Sequence, residues 1–75
     1  MKEVGKHVID KVNEWKIMEV KIKKDGVLER TYYQLFNDED VIPLKFEMFQ
    51  DAKRLAIRID RGEIEVKDGL IYYHR

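Results

Sequence analysis

Over residues 54–74, apolar and polar side chains alternate almost without a fault. Leu55, Ile57, Ile59, Ile64, Val66, Ile71 and Tyr73 fall on one side, and Arg58, Asp60, Glu63, Glu65, Lys67 and Tyr72 on the other. Asp60-Arg61-Gly62 and Lys67-Asp68-Gly69 interrupt the pattern. A period of two with glycine-bearing breaks predicts a three-stranded antiparallel meander with one buried face. A tight turn at Arg61-Gly62 would pair Ile59 with Ile64, Arg58 with Glu65 and Ile57 with Val66. A second at Asp68-Gly69 would pair Val66 with Ile71, Glu65 with Tyr72 and Ile64 with Tyr73. Every inner pair is then apolar, and the outer Arg58–Glu65 pair would add about 0.2–1 kcal/mol.

At the other end, Val4, Val8, Val12 and Trp15 recur at helical spacing, with Lys6, Asp10, Lys11 and Glu14 on other faces. This predicts an amphipathic helix over residues 2–15, with Gly5 weakening its first turn and Trp15 as its core anchor. Met18, Val20 and Ile22 then alternate with Glu19, Lys21 and Lys23, followed by Asp25-Gly26 and a second run over residues 27–36. Asp-Gly between two such runs signals a hairpin. A three-residue loop, Lys24-Asp25-Gly26, would pair Ile22 with Leu28, Lys21 with Glu29 and Met18 with Tyr32. A two-residue turn would set Ile22 against Glu29 and spoil the apolar face.

After the polar break Asn37-Asp38-Glu39-Asp40, Ile42, Leu44, Phe46 and Met48 alternate with Pro43, Lys45 and Glu47. A strand over 41–48, held to an edge by Pro43, competes with a helix that uses Pro43 as its first residue. The helical stripe is ragged, because Phe46 and Ile57 fall among Lys53, Arg54 and Arg58. The preferred reading is a strand at 41–48, a turn or short helical piece at 49–53, and a strand at 54–60. The Lys-Asp-Gly tripeptide occurs twice, but the two hairpins differ in phase, so the match is shared turn chemistry and not duplication.

Seventy-five residues make one domain with a small core, and without cysteine neither a disulfide nor a Cys-based zinc site can staple it. Homo-oligomerisation is the expected remedy. The chain is 44% apolar and 40% charged, too hydrophobic for disorder. Its 15 basic and 15 acidic residues leave no net field toward nucleic acid or membrane, so only an uneven placement of charge can create one. No apolar stretch follows the first residues, so no signal peptide or membrane span is expected, and a cytoplasmic location is the default. Serine is absent and amides are few, a bias shared by hot-environment proteins and by AT-rich codon usage.

Catalytic parts are missing. There is no serine or cysteine nucleophile, Thr31 has no activating pattern around it, and the four glycines form no phosphate-binding loop. Glu3, His7 and Asp10 at i, i+4 and i+7 of the predicted helix could reach one ion, although a solvated helix face is the preferred reading. In the meander register Asp60, Glu63 and His74 line up across three strands, and two opposed carboxylates would raise the histidine pKa. Asp38, Glu39 and Asp40 lack calcium-loop spacing. No metal site, cofactor or enzymatic activity is expected.

Lys16, Lys21, Lys23 and Lys24 crowd one strand and its turn, with Tyr32 and Tyr33 on the partner strand. Lysine and tyrosine on an open sheet can hold phosphates and stack bases. A helix, a strand ending in Lys24-Asp25-Gly26, then Phe36-Asn37-Asp38 and an apolar stretch resembles the Sm-like RNA-binding barrels over roughly half the chain. Val41-Ile42-Pro43 departs from that pattern by leaving no asparagine for the family's base-contacting position. The resemblance therefore implies a barrel but no base-reading residue.

Together these features predict an α+β domain. An N-terminal helix packs on a bent antiparallel sheet, or small partly open barrel, of five to six strands that ends in a three-stranded meander. The expected role is a non-enzymatic protein-binding module, regulatory or inhibitory and self-associating, with Tyr72, Tyr73 and His74 on an edge strand as its contact. The alternative is RNA or single-stranded DNA binding through Lys21, Lys23, Lys24, Tyr32 and Tyr33.

Overall fold

The structure, a computed structural model, describes residues 1–73. It is mostly sheet. Strands β1 (Lys2–Val12), β2 (Trp15–Lys24) and β3 (Val27–Phe36) form an antiparallel sheet in the order β1-β2-β3. Helix α1 (Phe49–Asp60) follows, and then a two-stranded hairpin of β4 (Ile64–Lys67) and β5 (Leu70–Tyr73).

The predicted N-terminal helix is instead β1. Valines four apart fit a strand as well as a helix, because four is also an even number. Val4, Val8, Ile9 and Val12 are β-branched and favour the extended chain, and Gly5 disfavours the helix. With no opening helix and only a three-stranded and a two-stranded sheet among the described residues, the chain does not form the predicted N-terminal helix on a bent antiparallel sheet, or small partly open barrel, of five to six strands.

The hairpin between β2 and β3 turns on two residues. Asp25 (φ 52°) and Gly26 (φ 81°) are both left-handed, as a type I′ turn requires, and Lys24 pairs with Val27. The expected three-residue loop and its Ile22–Leu28 pairing are therefore wrong. The mismatch that made the two-residue turn unattractive is absorbed by a bulge, in which Glu29 is the extra residue. Ile22 then faces Arg30, and Val20 faces Tyr32. A second bulge lies between Val8 and Asp10 of β1.

Residues 54–60 are the second half of α1 and not the first strand of a meander. Phe49, Ala52, Ala56 and Ile59 lie at i, i+3, i+7 and i+10, with Leu55 beside them. Ala52 and Ala56 are fully buried. Ile57 falls off this stripe. Leu55, Ile57 and Ile59 alternate by coincidence, while two small alanines set the helical face. Gly62 (φ 79°) ends the helix, and there is no hairpin turn at Arg61-Gly62. Its N–H donates to the Ile59 carbonyl and the Glu63 N–H donates to the Arg58 carbonyl, each at 3.0 Å, which is a Schellman cap.

The last hairpin has the expected register. Ile64 pairs with Tyr73, Glu65 with Tyr72, Val66 with Ile71 and Lys67 with Leu70. Residues 41–46 form no regular strand, but they run along the free edge of β3. Phe46 exchanges two backbone hydrogen bonds with Tyr33 (2.7 and 2.9 Å), and the Ile42 N–H donates to the Leu35 carbonyl at 3.0 Å.

One core lies between α1 and one end of the sheet, made of Trp15, Ile17, Leu35, Ile42, Ala52 and Ala56. The other end of the sheet projects beyond it. The molecule measures 46 × 22 × 19 Å, and its radius of gyration is 13.4 Å. A compact chain of this length would have roughly 11 Å. Residues 1–8 and 18–31 thus form a protruding arm.

Candidate functional site

The arm places charge unequally. Its residues include six basic side chains, Lys2, Lys6, Lys21, Lys23, Lys24 and Arg30, against the acids Glu3, Glu19, Asp25 and Glu29. The rest of the chain carries the opposite imbalance, since the whole sums to zero. A neutral protein can in this way present a positive end.

The two faces of the sheet divide this charge further. Side chains alternate along each strand and paired residues share a face. Trp15, Ile17, Tyr33 and Leu35 point toward α1, and on the arm the same face continues through Glu3, Gly5, His7, Glu19, Lys21 and Lys23. This inner face mixes both signs. Lys21 Nζ lies 3.5 Å from Glu19, and the Tyr33 hydroxyl donates to Glu19 at 3.3 Å.

The outer face reads Lys2, Val4, Lys6 and Val8 on β1. On β2 it presents Lys16, Met18, Val20, Ile22 and Lys24, and on β3 Arg30, Tyr32, Gln34 and Phe36. No Asp or Glu holds a paired position there; Glu29, beside Arg30, is the extra residue of the bulge. Lys16 is partly compensated by Asp38 at 3.9 Å. Val4 and Val8 are 55% and 54% exposed, so α1 does not cover this face.

Tyr32 sits at the centre of the outer face and is only 8% exposed. The Arg30 guanidinium lies 5.1 Å from its ring centroid, and Lys45 Nζ from the flanking strip lies 5.2 Å from it. Each distance is within the range of a cation–π contact. Lys16 lies similarly over Phe36, at 5.7 Å. The aromatic rings of this face are thus capped by cations and offer no open platform for a base.

The residues singled out in the sequence are dispersed. Lys24 and Tyr32 lie on the outer face, whereas Lys21, Lys23 and Tyr33 lie on the inner one. Tyr33 belongs to the core, with its ring 6.0 Å from that of Phe49. Tyr72 is 49% exposed on β5, and Tyr73 ends the same strand opposite Ile64. His74 lies outside the described residues, and so does its proposed alignment with Asp60 and Glu63. Asp60 ends α1, where its carboxylate accepts a hydrogen bond from the Asn13 side chain. Glu3, His7 and Asp10 lie on one strand, so the first and last are separated by about 23 Å of extended chain and cannot share an ion. Among the described residues no group of acids and histidines could hold a metal.

Sequence reasoning missed Lys2, Lys6, Arg30 and Lys45. Their signal was the Lys-Val-Lys-Val alternation at residues 2, 4, 6 and 8, hidden once the segment was read as a helix. Two clefts lie elsewhere. One, of about 550 Å³, opens beside α1 and is lined by Asp10, Phe49, Lys53, Arg54, Ile57 and Arg61 among others. The other, of about 340 Å³, is lined by Glu14, Trp15, Glu39, Asp40, Ile59 and Glu65 among others. Asp10 is engaged by Lys53 at 2.5 Å and by the Lys11 N–H at 2.7 Å. Both contacts, Lys53 foremost, hold its carboxyl below the ordinary value. No described helix is long and apolar enough to cross a membrane. No protein-family model, curated protein or solved structure matches this chain.

Proposed function

We propose that the protein is a non-catalytic binding module that lays the sugar–phosphate backbone of a nucleic acid along its outer sheet face. The observation that carries this reading is the charge sorting of the sheet: every paired charged residue on the outer face is a cation. Phosphate contacts of this kind give affinity and orientation but no base readout. The capped state of Tyr32 and Phe36 points the same way, toward backbone contact and away from base stacking. Sequence preference is expected to be slight.

Binding of a labelled oligonucleotide at several salt concentrations tests this. Four to six phosphate contacts to a single strand give a log–log slope of about −3 to −4. A flat salt dependence, or no binding at low salt, contradicts the reading.

A second reading is association with a protein, either another copy or a different chain, along β1. Among the described residues no strand pairs with the outer edge of this 11-residue strand, and Val4, Val8 and Ile9 are exposed on it. Edge strands of this length invite added strands, while Lys2, Lys6 and Lys11 act against that. Sedimentation at several protein concentrations decides it; a monomer throughout rules out self-pairing.

A further inference from the structure

We propose that Arg30 and Lys45 together form a seat for a single phosphate group above Tyr32, the anchoring contact of the outer face. This inference rests on the backbone-binding reading and narrows it to one site.

Three observations converge on it. Both cations reach the same ring centroid, at 5.1 and 5.2 Å, so their charged ends are no more than about 10 Å apart. Neither has a carboxylate within ion-pair distance among the described residues. Two like charges within about 10 Å and without a counter-charge repel each other, and an anion between them relieves that repulsion. Finally, both are delivered by fixed backbone. Arg30 directly follows the bulge residue Glu29, where a strand is re-aimed. Lys45 precedes Phe46, whose two hydrogen bonds to Tyr33 pin the strip to β3. Tyr32, almost wholly buried, is the ring that both cations meet.

The chemistry suits a phosphodiester. A guanidinium offers paired N–H donors to two phosphate oxygens, and an ammonium adds a mobile point charge. Long exposed side chains close whatever gap remains between the two. The ligand is a phosphate carried on a nucleic-acid chain. A phospholipid headgroup and free phosphate offer the same group, and the test separates these sources.

The test uses the whole chain and a labelled polythymidine oligonucleotide over a range of salt. The variants are Arg30→Gln, Lys45→Gln, their double, and Lys6→Gln as a cation of the same face outside the seat. A lost phosphate contact lowers the slope by about 0.7 on a single strand. If Arg30 and Lys45 hold one phosphate, each single variant lowers the slope by that amount and the double lowers it no further. Lys6→Gln combined with either should lower it by a second such step. Arg30→Lys should recover part of the affinity, and unchanged melting of all variants separates contact loss from unfolding. Two independent steps for Arg30 and Lys45, or no change from either, overturn the seat while leaving the face reading in place. Failure of the unaltered protein to bind overturns both. Binding to phosphatidylglycerol vesicles in place of the oligonucleotide, or competition by millimolar inorganic phosphate alone, overturns the nucleic-acid assignment.

Discussion

The ammonium of Lys53 lies 2.5 Å from Oδ2 of Asp10, joining the middle of α1 to the edge strand β1 just beyond its bulge. Asp10 is the residue at which β1 leaves the projecting arm and enters the packed end of the sheet, where it pairs with Ile17. The bond thus fastens the helix to the strand that the core holds least.

Its consequence is a pH dependence. The Asp10 carboxyl is held below its ordinary value, first by Lys53 and then by the Lys11 N–H. Stability from such a group is present above the unfolded carboxylate pKa, near 4, and is lost as pH falls through the lower folded value. Thermal midpoints of the natural protein and Asp10→Asn should therefore differ at neutral pH and converge in acid. Parallel curves down to the most acidic point would show that the contact does not operate.

Ala52 and Ala56 are fully buried where α1 packs on the core. Ala52→Leu should cost about 1–3 kcal/mol through overpacking. Arg54→Leu, on the exposed side of the helix, should stay within about 0.5 kcal/mol. Urea unfolding of both variants checks this; equal effects would mean that the helix does not present this stripe to the core.

Gly62 has open space where a Cβ would go, so a substitution there is opposed by its positive φ alone. Gly62→Ala should cost about 1–2 kcal/mol, a fall of roughly 4–8 °C per kcal/mol in a domain this small. Gly62→Asn should cost less, because asparagine tolerates the left-handed cap.

The parts of this fold that the sequence makes legible are those where one period alone fits. The β4–β5 pairs follow from Asp68-Gly69 and four alternating residues on each side. Where two periods coincide, the pattern misleads. Val4 and Val8 satisfy both a helix and a strand, β-branching is what decides, and the bulge after Val8 sends Val12 to the opposite face. Leu55, Ile57 and Ile59 mimic a strand, while the decisive residues are alanines too small to count in a hydropathy pattern. The outer face was half visible: Lys24 and Tyr32 stood out, but their neighbours Lys6 and Arg30 depend on a strand assignment and on a bulge at Glu29 that no simple alternation anticipates. Lys45 joins them only through the irregular strip along β3.

The outer-face account is tested most directly by two double variants of equal charge change on opposite sides of the arm. Lys6→Glu with Lys24→Glu alters the outer face, and Lys21→Glu with Lys23→Glu alters the inner one. Oligonucleotide affinity at low salt should collapse in the first and persist in the second. Equal loss in both would mean that net charge alone attracts the ligand and that the sorting of cations onto one face has no binding role.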